Sequence, residues 1–198
     1  MSEFAARRAT AVDRDLVTNI VVLAFEHDPL WSHALSALRG DAESRRTYWQ
    51  IYVDGALRYP WTWIAGEGEA IATWIPPNGT ELADEQEHQM TELVEQRLSA
   101  TDDFFELLDR FEQAHPRDVP HYYLSLLGTH PDHRGKGVGM ALLRDNLAVI
   151  DAEHMPAYLE SSNPANNKRY ESVGFQAIGG FSYPGDGPYV TTMWRPAR

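Results

Sequence analysis

The chain has 198 residues, 43% hydrophobic and 23% charged, a balance that can bury a sizeable core and leaves no room for two large domains. Seventeen basic against 29 acidic residues give a net charge of -12, which argues against a nucleic-acid coat protein or a polybasic membrane binder and suits a cationic partner better. With no cysteine, disulfides, thiolate zinc sites, iron–sulfur clusters and a cysteine nucleophile are all excluded.

Met1 to Thr10 holds no apolar run, and Ile20 to Phe25 is too short for a secretory or spanning segment, so a soluble cytoplasmic protein is expected, one domain over 1–198. Ala5 to Thr10 reads as a first strand. Asp13 is placed as the N-cap of an amphipathic helix carrying Leu16, Ile20, Leu23 and Ala24, which Asp28-Pro29 should stop. Trp31 to Leu38 reads as a short helix, and Ser44 to Tyr59 as a longer one that turns Tyr48, Ile51, Tyr52 and Ala56 to one face and ends at Pro60. Trp61 to Ala65 and Ala70 to Ile75, separated by Gly66-Glu67-Gly68-Glu69, predict a hairpin.

Glu81 to Leu98 and Asp102 to Ala114 are expected to be helical, the second with Thr101 as its N-cap and Phe104, Leu107, Leu108 and Phe111 on one stripe. This acidic helical insertion, about 80–118, holds twelve acidic residues and three arginines between Glu81 and Asp118. Such a run reads first as a solvated face, and second as an acidic wall beside a cationic substrate. His121 to Thr129 reads as a strand, Gly137 to His154 as a helix and Ala157 to Ser161 as a second strand, with lengths that suit a parallel βαβ crossover. A loop at Ser162 to Asn166, a short helix to Val173 and strands near Phe175 to Phe181 and Tyr189 to Trp194 complete the chain.

The richest segment is His130-Pro131-Asp132-His133-Arg134-Gly135-Lys136-Gly137-Val138-Gly139, between a strand and the helix after it. Glycines there admit an anion to the backbone, and the free amides at a helix start supply donors to phosphate oxygens. A dinucleotide fingerprint needs a glycine where Met140 stands. A nucleotide P-loop needs Ser or Thr where Gly137 stands and a glycine where His130 stands. Both readings fail on spacing. His130 and His133 flank Asp132 without a third ligand at a recognised spacing, so no metal is expected.

The spacing that does fit is Arg134-Gly135-Lys136-Gly137-Val138-Gly139, followed by Pro156-Ala157-Tyr158-Leu159-Glu160-Ser161, Asn166 and Tyr170-Glu171-Ser172-Val173-Gly174-Phe175. In this order and at these distances the chain resembles the GNAT superfamily of acyl-CoA-dependent N-acetyltransferases. The resemblance implies an α/β (α+β) fold: a central mixed twisted sheet of about six to seven strands flanked by helices, with splayed parallel strands at the cofactor site. It implies acetyl-CoA as cofactor, its pyrophosphate on Arg134, Gly135, Lys136, Gly137, Val138 and Gly139. Its pantetheine would pair with the backbone of Leu127, Gly128 and Thr129, and Asn166 and Tyr170 would also contact it. The amide near Leu127 would face the thioester oxygen.

The reaction so implied is direct attack of an amine on the thioester, with Tyr170 as the acid that protonates the departing thiolate. For the base Glu160, on the second splayed strand, is placed first, with His121 and the pair His27 and Asp28 left open. Phe25, Asp28, Trp31 and Trp74 are taken as lining the acceptor pocket, with Tyr52, Trp61 and Trp63 as further aromatic candidates; each Trp reads equally as core. The expected acceptor is an amine of a small molecule, with a cationic antibiotic-like amine as one class, and a homodimer is left open. A protein lysine or N-terminal acetyltransferase and a non-catalytic acyl-CoA-binding module are the alternatives.

Overall fold

A computed structural model describes residues 5–198, so the start of the N-terminal segment read above lies outside the described residues. The strands β1 (Ala6–Arg8), β2 (Thr62–Ala65), β3 (Ala70–Ile75), β4 (Tyr122–Thr129), β5 (Ala157–Ser161), β6 (Gln176–Ser182) and β7 (Tyr189–Arg195) form one sheet in the order β1-β2-β3-β4-β5-β7-β6. All neighbours pair antiparallel except β4 and β5, which are parallel. Their parallel register holds for two pairs alone, Tyr122 with Ala157 and Tyr123 with Tyr158, and ends there. This is the splay that the resemblance implied.

A second irregularity sits beside the first. Along β3 and β4, Thr73 is opposite Leu126 and Trp74 opposite Leu124, so Ser125 is an extra, unopposed residue. A bulge bends its strand and re-aims the side chains beyond it. Tyr122 and Leu124 accordingly pack into one hydrophobic cluster and Leu126 into the other. The Thr73 hydroxyl accepts from the Leu126 amide at 3.0 Å across the irregularity.

The first cluster joins one sheet face to α1 (Arg14–Phe25), α2 (Pro29–Ala34), α3 (Ala42–Leu57), α4 (Asp84–Arg97) and α5 (Thr101–Ala114), through Val17, Ile20, Tyr48, Trp49, Val94 and Phe104 among others. The second lies under α6 (Val138–Ala152), whose Leu142, Leu143, Leu147 and Ile150 cover Trp61, Trp74 and Tyr122. The short α7 (Asn167–Glu171) follows β5. No helix of the described residues is long and apolar enough to cross a membrane.

Several local expectations are corrected. The buried stripe of α1 is Val17, Thr18, Ile20 and Val21, with Leu23 and Ala24 only partly covered. Asp13 precedes α1 but does not cap it with its side chain. Its carboxylate instead takes a bidentate Arg7 at 2.7 and 2.9 Å and the Thr10 amide at 2.8 Å, and these donors hold it well below the usual carboxylate range. Asp28 does more than stop a helix: it caps α2, accepting from the Leu30 and Trp31 amides at 3.1 Å each. Thr101 is the first residue of α5 and not its N-cap, a position held by Ala100 with no side-chain hydrogen bond.

Trp74 belongs to the core and not to the acceptor pocket expected for it. It is 0% exposed, packs in the cluster beneath α6 and donates its indole N–H to Asn146 Oδ1 at 3.0 Å. A β3 residue on that face cannot line an acceptor pocket on the other. Trp61 is in the same cluster, against Tyr122, and Trp63 packs at its edge. Trp74→Phe should therefore lower stability by about 1–3 kcal/mol, from a buried carbonyl left without its donor and a cavity left by the smaller ring. The shift in urea midpoint measures this.

Candidate functional site

One cavity of about 1220 Å³ runs from the glycine loop, through the gap between β4 and β5, to the ends of β3 and α5. At the loop end, Gly135 and Gly137 have φ of +76° and +77°, and an added Cβ at either would meet nothing within 4 Å. Gly137 is the left-handed residue at the start of α6, so the first amides of α6 face the cavity end without a side-chain cap. Gly139 is closer packed: a Cβ there would stand 2.4 Å from Thr129 Oγ1.

The basic residues of the loop divide. Arg134 spends its guanidinium on the Leu23 and Ala24 carbonyls, at 3.2 and 3.0 Å, and so ties the loop to the last turn of α1. Lys136 is exposed and does not line the cavity. Leu127, Thr129, Val138 and Asn166 line it, whereas Gly128 packs against Ala24 and Ile20. Asn166 Oδ1 accepts from Arg169 at 2.9 Å.

Tyr170 on α7 faces the middle of the cavity. Burial, with Asp28 nearby, pushes its phenol up to about 12, so it is protonated at neutral pH. Asp28 lines the same wall, but besides capping α2 it accepts from Ser162 Oγ at 2.8 Å. Burial raises its pKa in spite of these three donors. It joins the start of α2 to the loop after β5. Phe25 and Trp31 line the cavity as expected, Phe25 against Trp49 at 4.8 Å and Trp31 stacked on Phe111 at 5.9 Å. Trp49, Tyr52, Phe105 and Phe111 complete an aromatic wall drawn from α3 and α5.

The far end is polar and buried. Only 2% of the Glu160 side chain is exposed; its Oε1 lies 3.6 Å from His115 Nδ1 and its Oε2 has no partner. His115 Nε2 is 3.1 Å from His121 Nε2, and His121 Nδ1 is 2.7 Å from the Val119 carbonyl. A carbonyl accepts only, so His121 carries its hydrogen on Nδ1 and receives from His115 Nε2. His115 then turns its second nitrogen to Glu160. Burial keeps the His121 pKa below its ordinary value, with His115 opposing its charge as well.

Glu81 is a cavity residue that its place at the head of a predicted acidic helix does not reveal. It lies before α4, within the cavity wall, and its carboxylate accepts from the bulged Ser125 hydroxyl. Burial, reinforced by Glu160, pushes the Glu81 carboxyl up to about 7 against the lowering effect of Ser125. Tyr123 neighbours both carboxylates, and burial first and these charges second hold its phenol protonated. The one available signal was the Pro76-Pro77-Asn78-Gly79 turn, which returns the chain to the sheet before α4 begins. Glu87, Asp109, Glu112 and Asp118 also line the cavity, so the acidic stretch is partly a wall and partly a solvated face.

A mixed sheet with one parted pair of parallel strands, a glycine-rich helix start at one end of the gap and a tyrosine beside it are the features that the family resemblance implied. Residues 101–177 match the family model of the acetyltransferase (GNAT) domain. The match runs from α5 to the start of β6 and supports a transferase enzyme. Among solved structures it is similar to a histone acetyltransferase HPA2 and related acetyltransferase from Corynebacterium glutamicum, at 22% identity and TM-score 0.66 over 100% of this chain and 98% of that one. It is also similar to arylalkylamine N-acetyltransferase 2 from Aedes aegypti, at 14% and 0.69 over 100% of both chains. A Drosophila melanogaster polyamine N-acetyltransferase gives 15% and 0.65 over 98% of this chain and 100% of that one. At these identities the likeness is one of fold.

A carboxyl whose pKa is higher folded than unfolded favours folding most when protonated, so its contribution is lost as pH rises from about 4.5 to about 7. Between pH 5 and pH 8 the wild type should lose about 1–3 kcal/mol more stability than Glu81→Gln, which cannot ionise. Thermal unfolding of both proteins across that range checks the sign.

Proposed function

We propose that this enzyme transfers the acetyl group of acetyl-CoA to the amine of a small cationic molecule by direct attack on the thioester. The observation that carries the reading is that one cavity joins the glycine loop, the gap between β4 and β5, Tyr170 and a buried acidic end. Pyrophosphate would rest on the amides of Gly135 to Gly139, where the left-handed Gly137 opens α6, with Arg134 holding the loop to α1. The pantetheine amides would pair with the β4 backbone near Leu127 to Thr129, because that edge has lost β5 as a partner.

The amine attacks the thioester carbon as the carbon–sulfur bond breaks, and Tyr170 gives the departing sulfur its proton. A pKa of about 12 keeps that proton available at neutral pH. The aromatic wall of Phe25, Trp31, Tyr52 and Phe111 suits an apolar body, and the acidic end suits a cation. An antibiotic-like amine is the finer reading, on the likeness of the loop, the Pro156 to Glu160 strand and the Tyr170 to Phe175 segment to puromycin N-acetyltransferase. The helices α4 and α5 wall the cavity with Met90, Thr91, Phe105 and Leu108, which favours a small acceptor over a protein lysine needing an open groove.

Calorimetric titration with acetyl-CoA, followed by thiol release with puromycin, an arylalkylamine and agmatine, tests the reading. Amine-dependent release of CoA is expected. Binding without turnover would replace the enzyme reading by that of a binding module. Gly137→Asp should weaken acetyl-CoA binding about tenfold or more, since it strains a left-handed residue and sets a carboxylate beside phosphate. Tyr170→Phe should leave acetyl-CoA affinity within about twofold and lower kcat about 100-fold, the usual scale for a lost general acid.

A further inference from the structure

We propose that Glu81, seated on Gly55 and paired with the bulged Ser125, is the group that takes the proton from the acceptor ammonium. This assignment rests on the acetyltransferase reading above and adds the base that it lacks. Glu160, the base favoured by sequence, faces His115 at 3.6 Å on one oxygen and is 2% exposed. Glu81 belongs to the same cavity but reaches it from the loop after β3, opposite β5.

The position of Glu81 is overdetermined. Gly55 is an interior residue of α3, where glycine costs about 1 kcal/mol relative to alanine. The reason for it is contact: a Cβ on Gly55 would stand 2.2 Å from the Glu81 carbonyl oxygen. The preceding residue, Thr80, is held by the Tyr59 hydroxyl, which accepts from its amide at 3.0 Å and donates to its carbonyl at 3.2 Å. Arg58 donates to the same carbonyl and, at 2.9 Å, to that of Gly55. On the other side, Ser125 reaches Glu81 because it is the unopposed residue of β4. Three irregular features thus fix one residue: the helix glycine and the tyrosine clamp hold the backbone at Thr80 and Glu81, and the bulged Ser125 meets the Glu81 carboxylate.

The groups facing Glu81 are Tyr48 and Tyr52 on α3, His115 after α5, Tyr123 and Ser125 on β4, and Glu160 on β5. Only His115 among them can be cationic; Arg58 is engaged by the Thr80 and Gly55 carbonyls, and Arg117 lines the same cavity. The ammonium gives one proton to the Glu81 carboxylate, and the neutral nitrogen forms the C–N bond. On collapse the C–S bond breaks, sulfur gains a proton from Tyr170, and the second proton of nitrogen passes to solvent, from which Tyr170 is restored. The net release is one proton, from Glu81. A carboxyl with pKa about 7 is suited to this exchange near neutrality.

The test measures kcat/KM from pH 5.5 to 9 with the fastest amine of the panel for wild type, Glu81→Gln, Glu81→Asp, Glu160→Gln and Gly55→Ala, with acetyl-CoA affinity measured beside it. The expectation is a wild-type rise centred near pH 7, with Glu81→Gln about 100-fold lower at neutral pH and without that rise. Glu81→Asp should restore part of the rate and the rise. Gly55→Ala should lower kcat/KM at unchanged acetyl-CoA affinity; if it does not fold, the Glu81 variants decide. Wild-type rate and profile in Glu81→Gln, or loss of the rise in Glu160→Gln alone, overturns the assignment. A wild type that turns over no amine overturns the acetyltransferase reading itself, and the assignment with it.

Discussion

The parting of β4 and β5 is the constraint on which the rest of the structure depends. A parallel pair that continued past Tyr123 and Tyr158 would saturate the inner edge of β4 with backbone hydrogen bonds and close the sheet. Because it stops, the edge of β4 is left for another partner, and a cavity passes through the sheet from one layer to the other. The two hydrophobic clusters make this opening tolerable. Each is complete on its own side, one beneath α6 and one beneath α1, α3 and α5, so the gap between them is not needed to hold the layers together.

The bulge at Ser125 serves the same end. Without it Leu126 would follow Leu124 into the α6 cluster, and the face that carries α1 would lose its apolar residue on β4. With it, Tyr123 and Ser125 turn toward the acidic end of the cavity while Leu126 stays in the core. Charge is sorted along the cavity in consequence. Helix amides and left-handed glycines stand at one end; Glu81, Glu160 and the acidic edge of α4 and α5 stand at the other. On the function proposed, an anion and a cation entering one cleft would be held at opposite ends, with Tyr170 between them.

The elements themselves were largely legible in the chain. Turn residues marked the β2–β3 hairpin, periodicity marked α3, α5 and α6, and the βαβ spacing predicted the parallel pair. The glycine loop was legible for a local reason: phosphate-type recognition at a helix start uses consecutive backbone amides, so its determinants lie next to one another in sequence. Tyr170 and Asn166, which the resemblance proposes as site residues, both line the cavity. The placement of Trp74 was not. Alternation along β3 says that neighbours face opposite ways, but which face receives α6 is decided by the crossover, and Trp74 went to the core with Asn146 as its partner.

Composition and local pattern by themselves determined a fold of mixed strands and helices, a glycine-rich turn at a helix start and an excess of acid in one segment. Those properties are short-range, set by propensity, turn chemistry and the spacing of apolar residues. Tertiary structure alone decided which acids are buried in the cavity and which are solvated. Glu81 and its neighbours along α4 are alike in sequence, yet only Glu81 is carried by the Pro76–Gly79 turn to the close approach on Gly55 and across to Ser125, 44 residues away. The raised pKa follows from that burial and from Glu160 on a strand that no local pattern connects to it.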